Sequence, residues 1–143
     1  MSAFVKIGDI QGQATDQNHK DWILLDSLSS DIVRSIPQGA KDAQRTQGET
    51  QLQDITIVRT LDKSTPKLSE ACAAGQLFPE VEVHFCTTVE GVEEPYLQYK
   101  LKNVILTSYN YDGNSTGDPL GTESLSLSYT EVEWTYIVIN PDT

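Results

Sequence analysis

The chain has 143 residues, 38% of them hydrophobic, enough for one packed core and too many for a disordered polymer. Ten Lys and Arg against 21 Asp and Glu leave a formal charge of −11 at pH 7, which excludes the clustered basic surface that nucleic acid requires. No stretch approaches the ~20 apolar residues of a membrane-spanning helix.

The opening Met1–Asp9 lacks the charged start and apolar run of a signal peptide. The expectation is cytoplasmic synthesis, with any export by a route that uses no such leader. Phe4, Val5, Ile7 and Ile10 begin a first strand, and Gly12 to Asn18 is rich in turn formers. A long strand is expected from Trp22 to about Ile36; its apolar pattern fades at Leu28, Ser29 and Ser30, the mark of a bend or bulge. Pro37 to Gly48 carries almost no hydrophobic residue, and loops of that length are usually functional or disordered. Strand character returns from Gln51 to Leu61.

Asp62 to Cys72 holds the one convincing helix signal. Thr65 is the expected N-cap and Pro66 falls at N1, where its missing donor costs nothing. Leu68, Ala71 and Cys72 form a narrow apolar stripe, and Gly75 closes the helix in the left-handed conformation. Val81, Val83 and Phe85 then alternate with Glu82, His84 and Cys86, and Gly91 marks a turn. Leu97, Tyr99 and Leu101 alternate up to Asn103, after which Val104 and Leu106 take the opposite parity. The last strand region repeats this change of phase between Leu125, Leu127, Tyr129 and Val132, Trp134, Tyr136. One-residue slips of this kind predict β-bulges in strands that curve. Curved strands and one short helix predict a mainly β fold: a small antiparallel β-barrel of two sheets with the helix packed against it, in a single domain spanning 1–143.

Catalytic chemistry finds no support. Glu82, His84 and Cys86 share a strand face, but a stable zinc site wants four ligands and no CxxC or HExxH accompanies them. A Cys86–His19 dyad has nothing else in the sequence to argue for it. No serine sits in a GxSxG elbow, no glycine-rich loop opens a helix, and Glu93-Glu94 and Glu131/Glu133 read as solvated pairs. The expectation is a protein without enzyme activity, cofactor or metal, whose two cysteines are reduced thiols.

Four blocks, taken together and in this order, resemble the hemolysin-coregulated protein (Hcp) family, the tube subunits of type VI secretion. They are Phe4–Gly12 with His19-Lys20-Asp21-Trp22-Ile23, Leu61–Leu68 with Glu70-Ala71-Cys72, Tyr96–Ile105, and Glu133-Trp134-Thr135-Tyr136. The resemblance implies a β-barrel with one helix, homo-hexameric rings stacked into a hollow tube, and expulsion of that tube by a contracting sheath. It implies sheath and spike or baseplate components as partners, small effectors carried in the lumen, and secretion to the exterior or into target cells. No nucleic acid and no membrane insertion is implied. Residues 35–49 depart from the glycine-rich segment of many members and resemble one subgroup. The chain also ends at Thr143, soon after the last block, so the expected tail is short or missing. In the loop that members extend toward a neighbour, Pro37, Gln38, Gly39, Lys41, Asp42, Arg45 and Glu49 are the candidate inter-subunit contacts; Lys41 and Arg45 are suited to carboxylates on the neighbour. Ser27 and Ser29, small and polar on a strand, are candidates for the lumen wall. The alternative is a monomeric β-barrel binding module or a phage tail-tube-like protein outside secretion, since fold alone does not decide function.

Overall fold

The computed structural model describes residues 2–34, 50–112 and 121–139. Within them the chain forms strands β1 Ser2–Ile7, β2 Ile23–Leu25, β3 Ser27–Ser29, β4 Ile32–Arg34, β5 Thr50–Leu52 and β6 Ile55–Thr60. Helix α1, Thr65–Ala74, follows, and then β7 Leu77–Val89, β8 Val92–Asp112, β9 Thr122–Ser128 and β10 Glu131–Tyr136. Every strand pair is antiparallel.

An eight-stranded sheet runs β2-β1-β7-β8-β9-β6-β3 with β10 also on β8, and β4 and β5 form a separate two-stranded ribbon. The ladder itself is open, ending on β2 and β3. Those two ends are nevertheless neighbours in the chain, separated only by Asp26, whose N–H donates to the Val58 carbonyl on β6 at 2.8 Å. The sheet therefore curls until both edges meet at one bent segment, which pairs with β1 through Ile23–Leu25 and with β6 through Ser27–Ser29. The long strand expected from Trp22 is thus three short ones, interrupted at Asp26 and again at Ser30-Asp31.

Inside the curl, Val5, Ile7, Ile23, Ile57, Leu101 and Leu125 are fully buried in one cluster. Each such side chain contributes about 1.5–3 kcal/mol by leaving water. Phe4 belongs to a second, outer cluster with Ala14, Cys86 and Trp22, because the segment 8–22 folds back over the outside of β1. Gly12 permits that return: a Cβ there would lie 2.4 Å from the Trp22 carbonyl oxygen.

The two changes of phase seen in the sequence are one structural feature. Pro79-Glu80 on β7, Lys102-Asn103 on β8 and Thr130-Glu131 beside them are all exposed, between buried Phe78, Leu101, Val104 and Tyr129. Glu80 pairs with Lys102 and Lys102 with Glu131, so the three lie side by side. Neighbouring strands bend together along this line, and Asn103 supplies the left-handed backbone (φ 55) that the bend needs. Register holds across it, with Phe78 opposite Val104 and Glu80 opposite Lys102, so the expected bulge at Asn103 is instead a shared corner. The register shifts fall elsewhere, between Phe85 and Cys86 on β7 and between Leu106 and Ser108 on β8. The β7–β8 hairpin turns at Glu90 and Gly91, both with positive φ, as a two-residue turn matching strand twist requires.

Helix α1 carries Pro at its first turn and ends at Gly75 (φ 65), whose N–H and that of Gln76 satisfy the Cys72 and Ala71 carbonyls. Its start differs from expectation: the cap is Ser64, and the Thr65 hydroxyl instead accepts from the Asp62 N–H. Leu68 and Ala71 are buried against the barrel while Cys72 is only half-buried, so the apolar stripe is narrower than expected.

A free sheet edge and two buried polar clusters

Of the residues expected to serve assembly, Pro37, Gln38, Gly39, Lys41, Asp42, Arg45 and Glu49 lie outside the described residues. Ser27 and Ser29 sit on β3 and are both exposed, while Leu28 between them packs on the core. Ser29 borders an open polar cleft of about 690 Å³ that is also lined by Ser30, Asp31, Gln53 and Asp54.

β10 is the uncovered part of the sheet. It pairs with β8 from Glu131↔Lys102 to Tyr136↔Leu97, and among the described residues no strand takes its other edge. The chain of β6 turns away before Ile55, so β9 has β6 as a neighbour and β10 does not. Val132 still packs on the core, but Trp134 is 51% exposed, Tyr136 70% and Val138 83%. Ile32 and Val33 on β4 form a second exposed apolar pair. Strand edges are normally guarded by lysine, proline or bulges, and β10 has none of these in its length. Periodicity marked Val132, Trp134 and Tyr136 as one face; the topology shows that among the described residues β10 pairs with β8 alone.

On the opposite face of the same sheet the charges answer one another. Lys6, Glu82, Lys100 and Glu133 are register partners across β1, β7, β8 and β10, alternating in sign. Cross-strand pairs of this kind contribute roughly 0.2–1 kcal/mol each.

The first buried polar cluster centres on Arg59, whose side chain is 1% exposed. Its Nη1 donates to Glu123 Oε1 at 2.8 Å and to Ser64 Oγ at 2.6 Å, and its Nη2 lies 2.6 Å from Asp62 Oδ1. The Tyr109 hydroxyl donates to the other Glu123 oxygen at 2.6 Å, and the Ser64 hydroxyl donates to Asp62. Burial alone would raise the Asp62 carboxyl; hydrogen bonds from Arg59 and Ser64 outweigh it and hold Asp62 below the ordinary carboxylate range. Burial, then the bond to Glu123 and its charge, pushes the Tyr109 phenol well up. The cluster clamps the start of α1 to β6 and β9. It had a signal in the sequence: Arg59 and Glu123 occupy the inward parity of Ile55, Ile57 and of Leu125, Leu127.

The second cluster brings together the residues weighed for chemistry. His19 Nδ1 meets Asp16 Oδ2 at 2.6 Å, and its Nε2 meets His84 Nδ1 at 2.9 Å. The carboxylate accepts, so the Nδ1 of His19 carries a proton. Its ring stacks on Phe4 at 4.4 Å, with Trp22 edge-on at 4.8 Å. Cys86 Sγ lies 3.8 Å from His19 Nε2, which sets a thiol, an imidazole and a carboxylate in the sequence of a nucleophile, base and orienting group. Three facts deny it that chemistry. The thiol is completely buried; burial first, then Glu93, Asp16 and Glu94, pushes it up to about 12; and the imidazole nitrogen facing it is already engaged by His84. Nor does the Glu82, His84, Cys86 row become a ligand set: among the described residues no three His, Cys, Asp or Glu groups converge as metal ligands. Both cysteines are free, Cys72 beside the main core and Cys86 in the outer cluster.

The family described as "Type VI secretion system effector, Hcp" matches residues 4–136. Protein hcp1 of Pseudomonas aeruginosa is 30% identical over 93% of this chain and 81% of its own length, and the Major exported protein of the same organism is 24% identical over 91% and 77%. A solved type six secretion system protein superposes with a TM-score of 0.87 at 24% identity, covering 99% of this chain and 86% of that one. Hcp1 from Salmonella typhimurium follows with a TM-score of 0.76 at 23% identity, covering 96% and 87%. The fold of curled antiparallel sheet and single packed helix, and a family match over nearly the whole chain, have one reading: the chain belongs to the Hcp family of the type VI secretion system.

Proposed function

We propose that this chain, acting as one domain, is a ring-forming tube subunit: copies join side by side into hexameric rings that stack into a hollow tube. The sheath of the secretion machine expels that tube, with small effectors held in the lumen. The observation that carries the reading is β10, a sheet edge with Trp134 and Tyr136 exposed and no partner strand beyond β8 among the described residues. Exposed apolar rows on an open edge are a template for a second chain. The Pro37–Glu49 segment supplies further contacts between subunits or rings, with Lys41 and Arg45 meeting carboxylates, and Ser27 and Ser29 line the lumen. A charge of −11 on every copy opposes assembly, so salt that screens it strengthens association. Sedimentation with light scattering over a range of concentration and salt tests the reading. A discrete ring-sized species that grows with both supports it; a strict monomer under every condition overturns it, and a ring unaffected by deleting residues 37–49 removes that segment from the contacts.

A further inference from the structure

Segment 8–22 is a self-bonded flap on the outside of the barrel. Gly12 N–H donates to the Asp21 carbonyl at 2.7 Å, Ala14 N–H to Trp22 at 3.0 Å, and Asp21 N–H back to Ala14 at 2.9 Å. Among the described residues, polar side-chain bonds tie it to the rest of the molecule at His19 with His84 on β7, Cys86 Sγ with His19 Nε2 at 3.8 Å, the Glu93 backbone with the Asp16 carboxylate, Asn18 Nδ2 with the Glu93 carbonyl at 3.3 Å, and Gln13 Oε1 accepting from the Lys63 N–H. Only the first of these joins two groups that each gain a positive charge on protonation. Two imidazoles whose nitrogens lie 2.9 Å apart share one hydrogen between them. The contact survives with both rings neutral, or with one ring charged. It does not survive with both charged, because two N–H groups then point at each other.

We propose that the His19–His84 contact is a proton-operated latch, which holds segment 8–22 against β1 and β7 while the pair carries at most one extra proton and releases it when each ring carries its own. Release uncovers Phe4 on β1 and the Cys86 thiol on β7, which the flap now seals. The groups facing the pair are Asp16 on the flap, Glu82 and Cys86 on β7, Glu93, Glu94 and Lys100 on β8, Glu133 on β10, and Lys6 one register row away on β1. Asp16 Oδ2 accepts from His19 Nδ1, and Glu82 Oε2 lies 3.5 Å from His84 Nε2. Burial, and then the charge of His19, lowers His84 from 6.5 to about 4. The sign follows: the latched state binds fewer protons than the released one, so the latch is fully present above about pH 6.5 and is lost as pH falls to about 4.

The test is the rate at which 4,4′-dithiodipyridine modifies the buried Cys86 thiol in a Cys72→Ser background, expressed as protection relative to the urea-unfolded chain at the same pH, with His84 intact and with His84→Asn. Asparagine can turn its amide N–H or its carbonyl toward His19 Nε2 and cannot take up the second proton. With His84 intact the relative protection should fall about tenfold per pH unit between about pH 6.5 and about pH 4 and level off below, the slope of one proton. In His84→Asn that fall should vanish. Equal slopes in the two proteins, or a Cys86 thiol as protected at pH 4 as at pH 6.5 in the protein with His84 intact, overturn the proposal. Should His84→Asn fail to fold, imidazole nitrogen shifts of the protein with His84 intact decide: both rings charged while the Cys86 thiol stays protected also overturns it.

Discussion

The two buried polar clusters differ in one physical respect that sets what each can do. An arginine side chain keeps its charge at every ordinary pH, so the partners of Arg59 must stand in place: Glu123 and Asp62 neutralise it, Ser64 accepts from it, Tyr109 donates to Glu123, and only its buried Nε lacks a partner among the described residues; the result is a clamp. Histidine is a side chain whose charge can change near neutral pH, and His19 and His84 meet through one shared hydrogen. A permanent buried charge therefore resists change in solvent, while a titratable pair reports it. The difference was set by residue type, since both clusters are about equally hidden, with Arg59 and His19 each at 1% exposure.

The sharpest way to break the comparison is to strip the clamp. Arg59→Met leaves Glu123 buried with Tyr109 as its remaining donor, and should cost about 3–5 kcal/mol of stability, read from urea unfolding. Adding Glu123→Leu to it should recover much of that loss, because an apolar pair needs no compensation. Recovery failing would mean that packing, and not the lost counter-charge, dominates the cost.

Next in size is the acid limb of stability. Asp62 is held below its ordinary value of 3.8, so it stabilises the fold above that pH, and the contribution drains away as pH falls below it. Asp62→Asn should therefore lower stability at neutral pH and flatten the slope of the unfolding midpoint below about pH 3.8. At the alkaline end the sign reverses. The raised Tyr109 phenol stabilises below its ordinary 10.0 and loses that contribution above it, so Tyr109→Phe should flatten the alkaline fall.

The smallest effect on stability is expected where the largest effect on association lies. Trp134→Glu on β10 removes a ring that is 51% exposed and only partly packed, and should cost about 1 kcal/mol of stability, well below the cost of stripping the clamp. The same variant should abolish the ring-sized species in sedimentation. A large loss of stability with association intact would place Trp134 in the core of the fold and not on its assembly edge.

Much of the architecture could be read in advance because it is local. Pro66 and Gly75 bracket α1, Gly91 marks the β7–β8 turn, and the alternation of Val81, Val83 and of Leu125, Leu127 places them inward. The phase changes near Asn103 and Tyr129 were visible as well, but a single strand cannot distinguish a bulge from a corner. That depends on whether its neighbour steps at the same level, as Pro79-Glu80 does. The family blocks were legible for the same reason: each is a short run of residues.

By itself the sequence determined the kind of molecule: mainly β, one capped helix, strands that bend, a net charge of −11, and the resemblance to a secretion family. Only the tertiary structure decided which side chains meet. Arg59 finds Glu123 across 64 residues and His19 finds His84 across 65, and among the described residues β10 pairs with β8 alone because the β6 ladder stops at Ile55. Periodicity follows from the backbone of one strand, whereas pairing, burial and an uncovered edge follow from register between strands that the chain brings together from far apart.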